Sequence, residues 1–331
     1  MGIKYNALVI RHDKKVNEFI SEVEILDTDF LPTNDLLIKV QFSSLNYKDI
    51  LSVQGNPGVT RKFPHTPGID AAGIIVKSNV QEFKEGEEVF VVGQLMGMTC
   101  PGGFGQYISV PKNWVSRKPT NLTLKQTMIY GTAGLTAALA VKELLNQNIK
   151  PNTGPIIVSG ATGGVGSLTV AILSKLGFEV HASTNKFNSH EFLKNLGALQ
   201  ILNREELNNS SEMPQLKERW SGGIDTVGGG TLSTIIRSCK KYGTVMTIGN
   251  IESQFLNVSL MPFILRGVRL IGVNSQELSQ GDKKLLWEKL GDEWKPDCLN
   301  SIASEFKLEE INDNINSAIN GLIVGRKVLI Y

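Results

Sequence analysis

Ser159-Gly-Ala-Thr-Gly-Gly-Val-Gly166 decides how this chain folds. The run before it, Pro155-Ile-Ile-Val-Ser159, is short, apolar and β-branched, as a buried strand requires. The run after it, Val165 to Leu176, suits a helix. A second strand is predicted over Glu179 to Ser183, after the break at Gly177, and further strands over Ile224 to Val227, Thr244 to Ile248 and Val268 to Val273. Helical patterns lie between them. Such alternation predicts an α/β domain, a doubly wound parallel sheet with helices on its faces, over residues 125–274. Upstream the pattern differs. Leu36 to Val40 and Glu88 to Val92 are short β-type runs punctuated by Gly55-Asn-Pro-Gly58 and Pro101-Gly-Gly103. They predict a mostly-β, barrel-like domain over 1–124, which the tail at 275–331, ending in a strand at Lys327 to Tyr331, rejoins.

A glycine-rich turn between a strand and a helix is the setting in which such a loop binds a dinucleotide. Gly160 and Gly163 keep the turn tight, and Gly163 and Gly164 let the backbone approach a pyrophosphate. Gly166 lets the helix pack on the strand, while Ala161 stands where the usual fingerprint has its first glycine. Thr162, Gly163, Gly164 and Val165 open the helix, whose free N–H groups suit phosphate. The second strand selects the cofactor. An NAD site closes this strand with Asp or Glu, which binds the ribose 2′-hydroxyl. Here His181-Ala-Ser-Thr-Asn-Lys186 holds no acid. Ser183, Thr184 and Lys186 suit a 2′-phosphate, so the expected cofactor is NADPH. Gly249-Asn250 follows a strand at the sheet's C-terminal edge, where doubly wound folds bind ligands.

The 331 residues are 41% hydrophobic and carry a formal net charge of +2, which argues against a nucleic-acid or membrane-surface partner. Cys100, Cys239 and Cys298 are too few and too scattered for a disulfide framework or a four-cysteine zinc lobe. No secretory pattern opens the chain, and no membrane-spanning helix is expected, so the expected location is the cytoplasm.

Several stretches together resemble the medium-chain dehydrogenase/reductase superfamily, in its quinone oxidoreductase group of the YhdH/YhfP, acrylyl-CoA reductase-like type. They are Leu45-Asn-Tyr-Lys-Asp49, Phe63-Pro-His-Thr-Pro-Gly-Ile-Asp70, Gly131-Thr-Ala-Gly134, the loop at 159–166, Met261-Pro-Phe-Ile-Leu-Arg-Gly267 and Gly325-Arg-Lys-Val-Leu329. The resemblance covers essentially the whole chain. It implies a GroES-like substrate domain, a Rossmann domain and a homodimer made through the Rossmann sheets. It also implies cofactor contacts from Thr132 and Thr136, near the nicotinamide, and from Arg326, reaching the pyrophosphate. One departure is Gly93-Gln-Leu-Met-Gly-Met-Thr-Cys-Pro-Gly-Gly103, where the group often carries His-Trp or His-Phe before the glycine pair.

Zinc members of the superfamily place a Cys ligand where this chain has Asn46, His-Glu where it has Ile69-Asp70, and a further Cys near Thr132. Asn, Ile and Thr are not the N/S donors that zinc prefers, so no metal is expected. Without a Lewis acid, oxidising an alcohol is harder than reducing a quinone or an electron-poor C=C, which delocalises the incoming charge itself. The expected activity is therefore NADPH-dependent reduction of such an acceptor. Tyr47 is expected to donate to the developing oxyanion and Asn46 to orient the substrate carbonyl through its amide N–H. Asp49 reads as a structural residue. The alternatives are a zinc-free alcohol dehydrogenase-like enzyme and a non-catalytic NADPH-binding redox sensor.

Overall fold

The computed structural model describes residues 2–331. In chain order the first elements are β1 (Lys4–Asp13), β2 (Glu18–Asp27), β3 (Leu36–Ser44), α1 (Tyr47–Val53), β4 (Ala71–Ser78), β5 (Glu88–Val91), β6 (Tyr107–Val110), β7 (Val115–Arg117) and α2 (Leu124–Asn146). Next come β8 (Ile156–Val158), α3 (Gly164–Lys175), β9 (Val180–Ser183), α4 (His190–Asn195), β10 (Gln200–Leu202), β11 (Trp220–Asp225), α5 (Gly229–Arg237), β12 (Cys239–Thr247), α6 (Met261–Arg266), β13 (Arg269–Gly272) and α7 (Gln280–Gly291). The chain closes with β14 (Ala303–Lys307), α8 (Ile311–Ile319) and β15 (Arg326–Ile330). Short 3₁₀ turns join several of them.

The chain divides into two units, Met1–Thr132 with Ala303–Tyr331, and Ala133–Ile302. In the first, a seven-stranded sheet runs β14-β15-β3-β4-β5-β7, with β6 pairing β3 beside that path, and β1 and β2 form a hairpin. Except for the parallel β14–β15 pair, its ladders are antiparallel. Leu36, Ile38, Ile75, Val89, Val91, Ile108 and Val110 alternate inward to fill its core.

The second unit carries a six-stranded parallel sheet ordered β10-β9-β8-β11-β12-β13. That order, 3-2-1-4-5-6 within the unit, is the Rossmann order, and it places the glycine-rich loop after the first of the six strands. Ile156, Ile157 and Val158 are wholly buried, as a strand covered on both faces must be.

Two boundaries differ from the sequence reading. The division falls at 132 and 302, not at 124 and 274. Residues 275–302 stay with the parallel sheet because their polar side chains bond there: Ser275 Oγ lies 2.7 Å from Thr136 Oγ1, Asp282 accepts from Lys142 at 2.9 Å, and Asp297 accepts from Lys175 at 3.0 Å. Helix α2 is long and apolar enough to cross a membrane by composition alone, which was not anticipated, but most of it is buried inside the protein. It is also broken at Gly131, whose φ of 50° and ψ of −154° are not helical.

Candidate functional site

Two clusters hold the chemistry, one in each unit. In the parallel-sheet unit, Gly160 turns the chain at φ +56°, and a side chain there would collide with Thr226 Oγ1 at 2.3 Å. A Cβ on Gly166 would lie 2.3 Å from the Gly160 carbonyl, so only glycine lets α3 start this close to β8. Gly163 is the N-cap of α3 and offers no side-chain cap, and the first turn holds no acid. The leading N–H groups of α3, at Gly164, Val165 and Gly166, therefore remain for an anion.

The end of β9 is tied to this loop. Ala161 N–H donates to Ser183 O at 3.0 Å, Thr162 Oγ1 lies 3.1 Å from Thr184 Oγ1, and Lys186 N–H donates to Thr184 Oγ1 at 3.1 Å. Ser183 and Thr184 are buried and Lys186 is half-buried, its ammonium pushed down by that burial. Beneath the loop, Asp225 accepts from Ser159 Oγ at 2.6 Å and from Gly228 N–H at 2.8 Å. Burial pushes the Asp225 carboxyl up. Gly249 abuts the Thr226 backbone, where a Cβ would meet the carbonyl at 2.1 Å, and Asn250 beside it is exposed. Gly160, Thr162, Gly163, Gly164, Val165, Ser183, Thr184, Lys186, Gly249 and Asn250 thus gather at one end of the sheet, and the loop's shape and unmet donors fit a dinucleotide phosphate. Thr136 Oγ1 lies 2.7 Å from Ser275 Oγ, three residues past the end of β13 and so on the same edge of the parallel sheet. A cavity of about 760 Å³ in the same unit is lined by Asn208, Met213, Ser233, Phe255 and Asn257 but by none of the expected residues.

In the barrel-like unit the centre is Asp70, fully buried. Its Oδ2 accepts from Ser44 Oγ at 2.8 Å, Asn46 Nδ2 at 2.8 Å and Thr132 N–H at 2.9 Å, and its Oδ1 accepts from Thr132 Oγ1 at 2.6 Å. Arg326 Nη2 lies 3.9 Å from Oδ2. Gly131 makes this possible, because a Cβ there would sit 2.3 Å from Asp70 Oδ2 and 3.0 Å from Arg326 Nη2. Asp49, also fully buried, accepts from the N–H groups of Asn46 at 2.8 Å, Gly68 at 3.1 Å and Ile69 at 2.9 Å. Burial, with Asp70 nearby, pushes its carboxyl up to about 7. Tyr47, the first residue of α1, is 55% exposed. Lys48 is half-buried, and that burial pulls its ammonium down while Asp49 and Asp70 hold it up.

Two expected roles change, those of Asn46 and Thr132. Asn46 spends both amide hydrogens inside the protein, on Asp70 and on Ser44 O at 3.1 Å, so it has no N–H for a substrate carbonyl. Thr132 gives its hydroxyl to Asp70 and accepts from Gly93 N–H at 3.2 Å, so that hydroxyl is already engaged in the barrel-like unit. Arg326 is buried, with Nε on Ile129 O at 3.0 Å and Nη1 on Leu45 O at 3.2 Å, while its Nη2 has no hydrogen-bond partner among the described residues and keeps a donor unspent. Sequence reasoning touched Asp70 only as a departure from a zinc pattern. The signal was present, an acid retained where the metal ligands beside it are replaced, but its partners are far apart in the chain.

Two family models match: the alcohol dehydrogenase GroES-like domain over residues 32–120 and the zinc-binding dehydrogenase over 164–290. The putative quinone oxidoreductase YhfP of Bacillus subtilis is 36% identical over 330 residues, 99% of each chain. Its crystal structure with NAD bound superposes with a TM-score of 0.95 at 35% identity, covering 99% of this chain and 100% of that one. Acrylyl-CoA reductase AcuI of Ruegeria pomeroyi is 34% identical over 98% of each chain. Escherichia coli K-12 YhdH with bound NADPH gives a TM-score of 0.93 at 36% identity, covering 98% of this chain and 99% of that one. Matched from end to end by such relatives, the chain belongs to the quinone oxidoreductase/acrylyl-CoA reductase group of the medium-chain dehydrogenase/reductases and is an oxidoreductase with a GroES-like and a Rossmann domain.

Proposed function

We propose that this chain is a zinc-independent, NADPH-dependent reductase acting on a quinone or on an activated C=C, an enone or an acrylyl-CoA-like thioester. The observation that carries it is the Asp70 cluster. Zinc relatives use these positions for ligands, whereas here Asn46 and Thr132 are hydrogen-bonded into a buried carboxylate. Among the described residues, no three His, Cys, Asp or Glu side chains group to hold a metal. Bound at the loop of 159–166, NADPH supplies the hydride. Gly164, Val165 and Gly166 hold the pyrophosphate through their N–H groups, and Lys186 meets the 2′-phosphate.

Tyr47 is the donor this reading assigns to the acceptor's oxygen. Hydride on the β-carbon of an enone leaves an enolate, and hydride on a quinone leaves a hydroquinone anion. Hydrogen bonding from the phenol lowers the cost of either charge, and one proton completes the reduction. The homodimer expected from the family is part of the proposal. Strand β13 ends its sheet, and Ile264 and Leu265 on the adjacent α6 are exposed apolar residues. All three cysteines are free, as the reducing cytoplasm would keep them.

The test follows oxidation of NADPH and of NADH by EDTA-treated protein with acryloyl-CoA, crotonyl-CoA, a simple enone and a benzoquinone. NADPH oxidation undiminished by EDTA is the expected result, and the best acceptor names the substrate class. Activity that returns only with added zinc, or cofactor binding without turnover of any acceptor, overturns the reading. Tyr47→Phe is expected to lower kcat about 100-fold with the KM for NADPH unchanged.

A further inference from the structure

We infer that Asp70 is a positioning residue, a buried carboxylate that clamps Asn46 and Thr132 and thereby fixes the start of helix α1, from which Tyr47 is presented. The link to Tyr47 rests on the function proposed above; the clamp itself rests on geometry alone. Asp70 takes four hydrogen bonds, and three of their donors set the chain around α1 and α2. Asn46 is the N-cap of α1, and its amide hydrogens go to Asp70 and to Ser44 O. Ser44 ends β3, two residues upstream. Thr132 restarts α2 after the break at Gly131. One carboxylate therefore joins the end of a strand, the entry to α1 and the restart of α2. Arg326, anchored on the Leu45 and Ile129 carbonyls, and Lys48 are the nearby cations.

The charge is part of the device. A carboxylate accepts from all four donors at once, whereas a carboxamide has one oxygen and turns an N–H toward one of them. Asp70→Asn therefore keeps the volume and weakens the clamp. The α1 start has a second tether, Asp49 accepting from Asn46 N–H, so the helix loosens rather than melts.

The experiment is amide hydrogen exchange and steady-state kinetics on the full-length protein, with Asp70→Asn, Ser44→Ala, Tyr47→Phe and Asp70→Asn/Tyr47→Phe. Asp70→Asn is expected to speed exchange at least tenfold across residues 46–53 while β4, β5 and the parallel sheet keep wild-type protection. It should lower kcat at least tenfold with the KM for NADPH unchanged, and the double variant should be no slower than Tyr47→Phe. Ser44→Ala, which removes one donor and keeps the carboxylate, should shift exchange the same way by less, and it serves if Asp70→Asn does not fold. Unchanged exchange at 46–53, exchange raised throughout the molecule, or kcat losses that multiply in the double variant would each overturn the inference. If exchange rises locally but Tyr47→Phe turns over like wild type, the role of Tyr47 fails and the clamp stands.

Discussion

The glycine-rich loop and the Asp70 cluster are built on opposite plans. The loop at 159–166 is eight consecutive residues, and its function comes from what they lack: side chains at Gly160 and Gly166, an acid in the first turn of α3, and an N-cap side chain at Gly163. The Asp70 cluster draws on Ser44, Asn46, Asp70, Thr132 and Arg326, which span most of the chain, and its function comes from what they hold. A site made of exposed backbone donors sits lightly on the fold. A site made of buried charge is part of the fold. Substitutions in the two regions should therefore separate into cofactor effects and stability effects.

The largest separation is expected at Arg326. Arg326→Met removes the buried cation that lies 3.9 Å from buried Asp70, and breaking a buried pair this way costs about 3–5 kcal/mol. Urea unfolding followed by tryptophan fluorescence reads it. A loss under about 1 kcal/mol, the size of an exposed pair, would break the comparison by making the cluster energetically ordinary.

A smaller effect is expected with pH. The Asp49 carboxyl is pushed up to about 7 from its ordinary 3.8. Below that ordinary value, both folded and unfolded chains carry the proton. As pH rises from about 4 to 7, the unfolded chain releases it and the folded chain keeps it, so stability falls by about 1.4 kcal/mol per pH unit. Asp49→Asn does not titrate, so the wild-type advantage over this variant should shrink across that window. A flat difference would mean that the N–H groups of Asn46, Gly68 and Ile69 outweigh burial and keep Asp49 ionised throughout.

The smallest effect belongs to the loop. Lys186→Ala is expected to weaken NADPH binding about tenfold, worth about 1.4 kcal/mol, and to leave NADH binding and unfolding unchanged. Equal loss for both cofactors, measured by titration calorimetry, would remove Lys186 from the 2′-phosphate.

Most of the second unit was legible before the structure. Its strands are short, apolar and bounded by turns, and their alternation with helices implies parallel connections, although the strand order and the short β10 came only with the structure. The predicted starts of β11 and β12 were late, at Ile224 and Thr244 against Trp220 and Cys239. Ser221, Gly222 and Gly223 lack a β-branched pattern, yet the two glycines pack where side chains would not fit, with a Cβ on Gly222 meeting Thr244 O at 2.7 Å and one on Gly223 meeting Ile235 at 2.8 Å. The 275–302 segment was misplaced for a related reason: its attachment rests on polar contacts of Ser275, Asp282 and Asp297, which no local pattern signals.

The sequence by itself determined the Rossmann unit, the dinucleotide loop and the absence of an acid after β9, because each depends on neighbours within a few residues. Only the tertiary structure decided the fates of Asn46, Thr132 and Arg326. All three looked available to a ligand; Asn46 and Thr132 are spent on Asp70, and Arg326 is buried on the Ile129 and Leu45 carbonyls with only Nη2 unpartnered. That outcome depends on β15 laying Val328 beside Ser44 of β3 and on Gly131 breaking α2 where no side chain fits. A buried carboxylate must gather its donors from wherever the fold brings them close, and sequence separation carries no record of that distance.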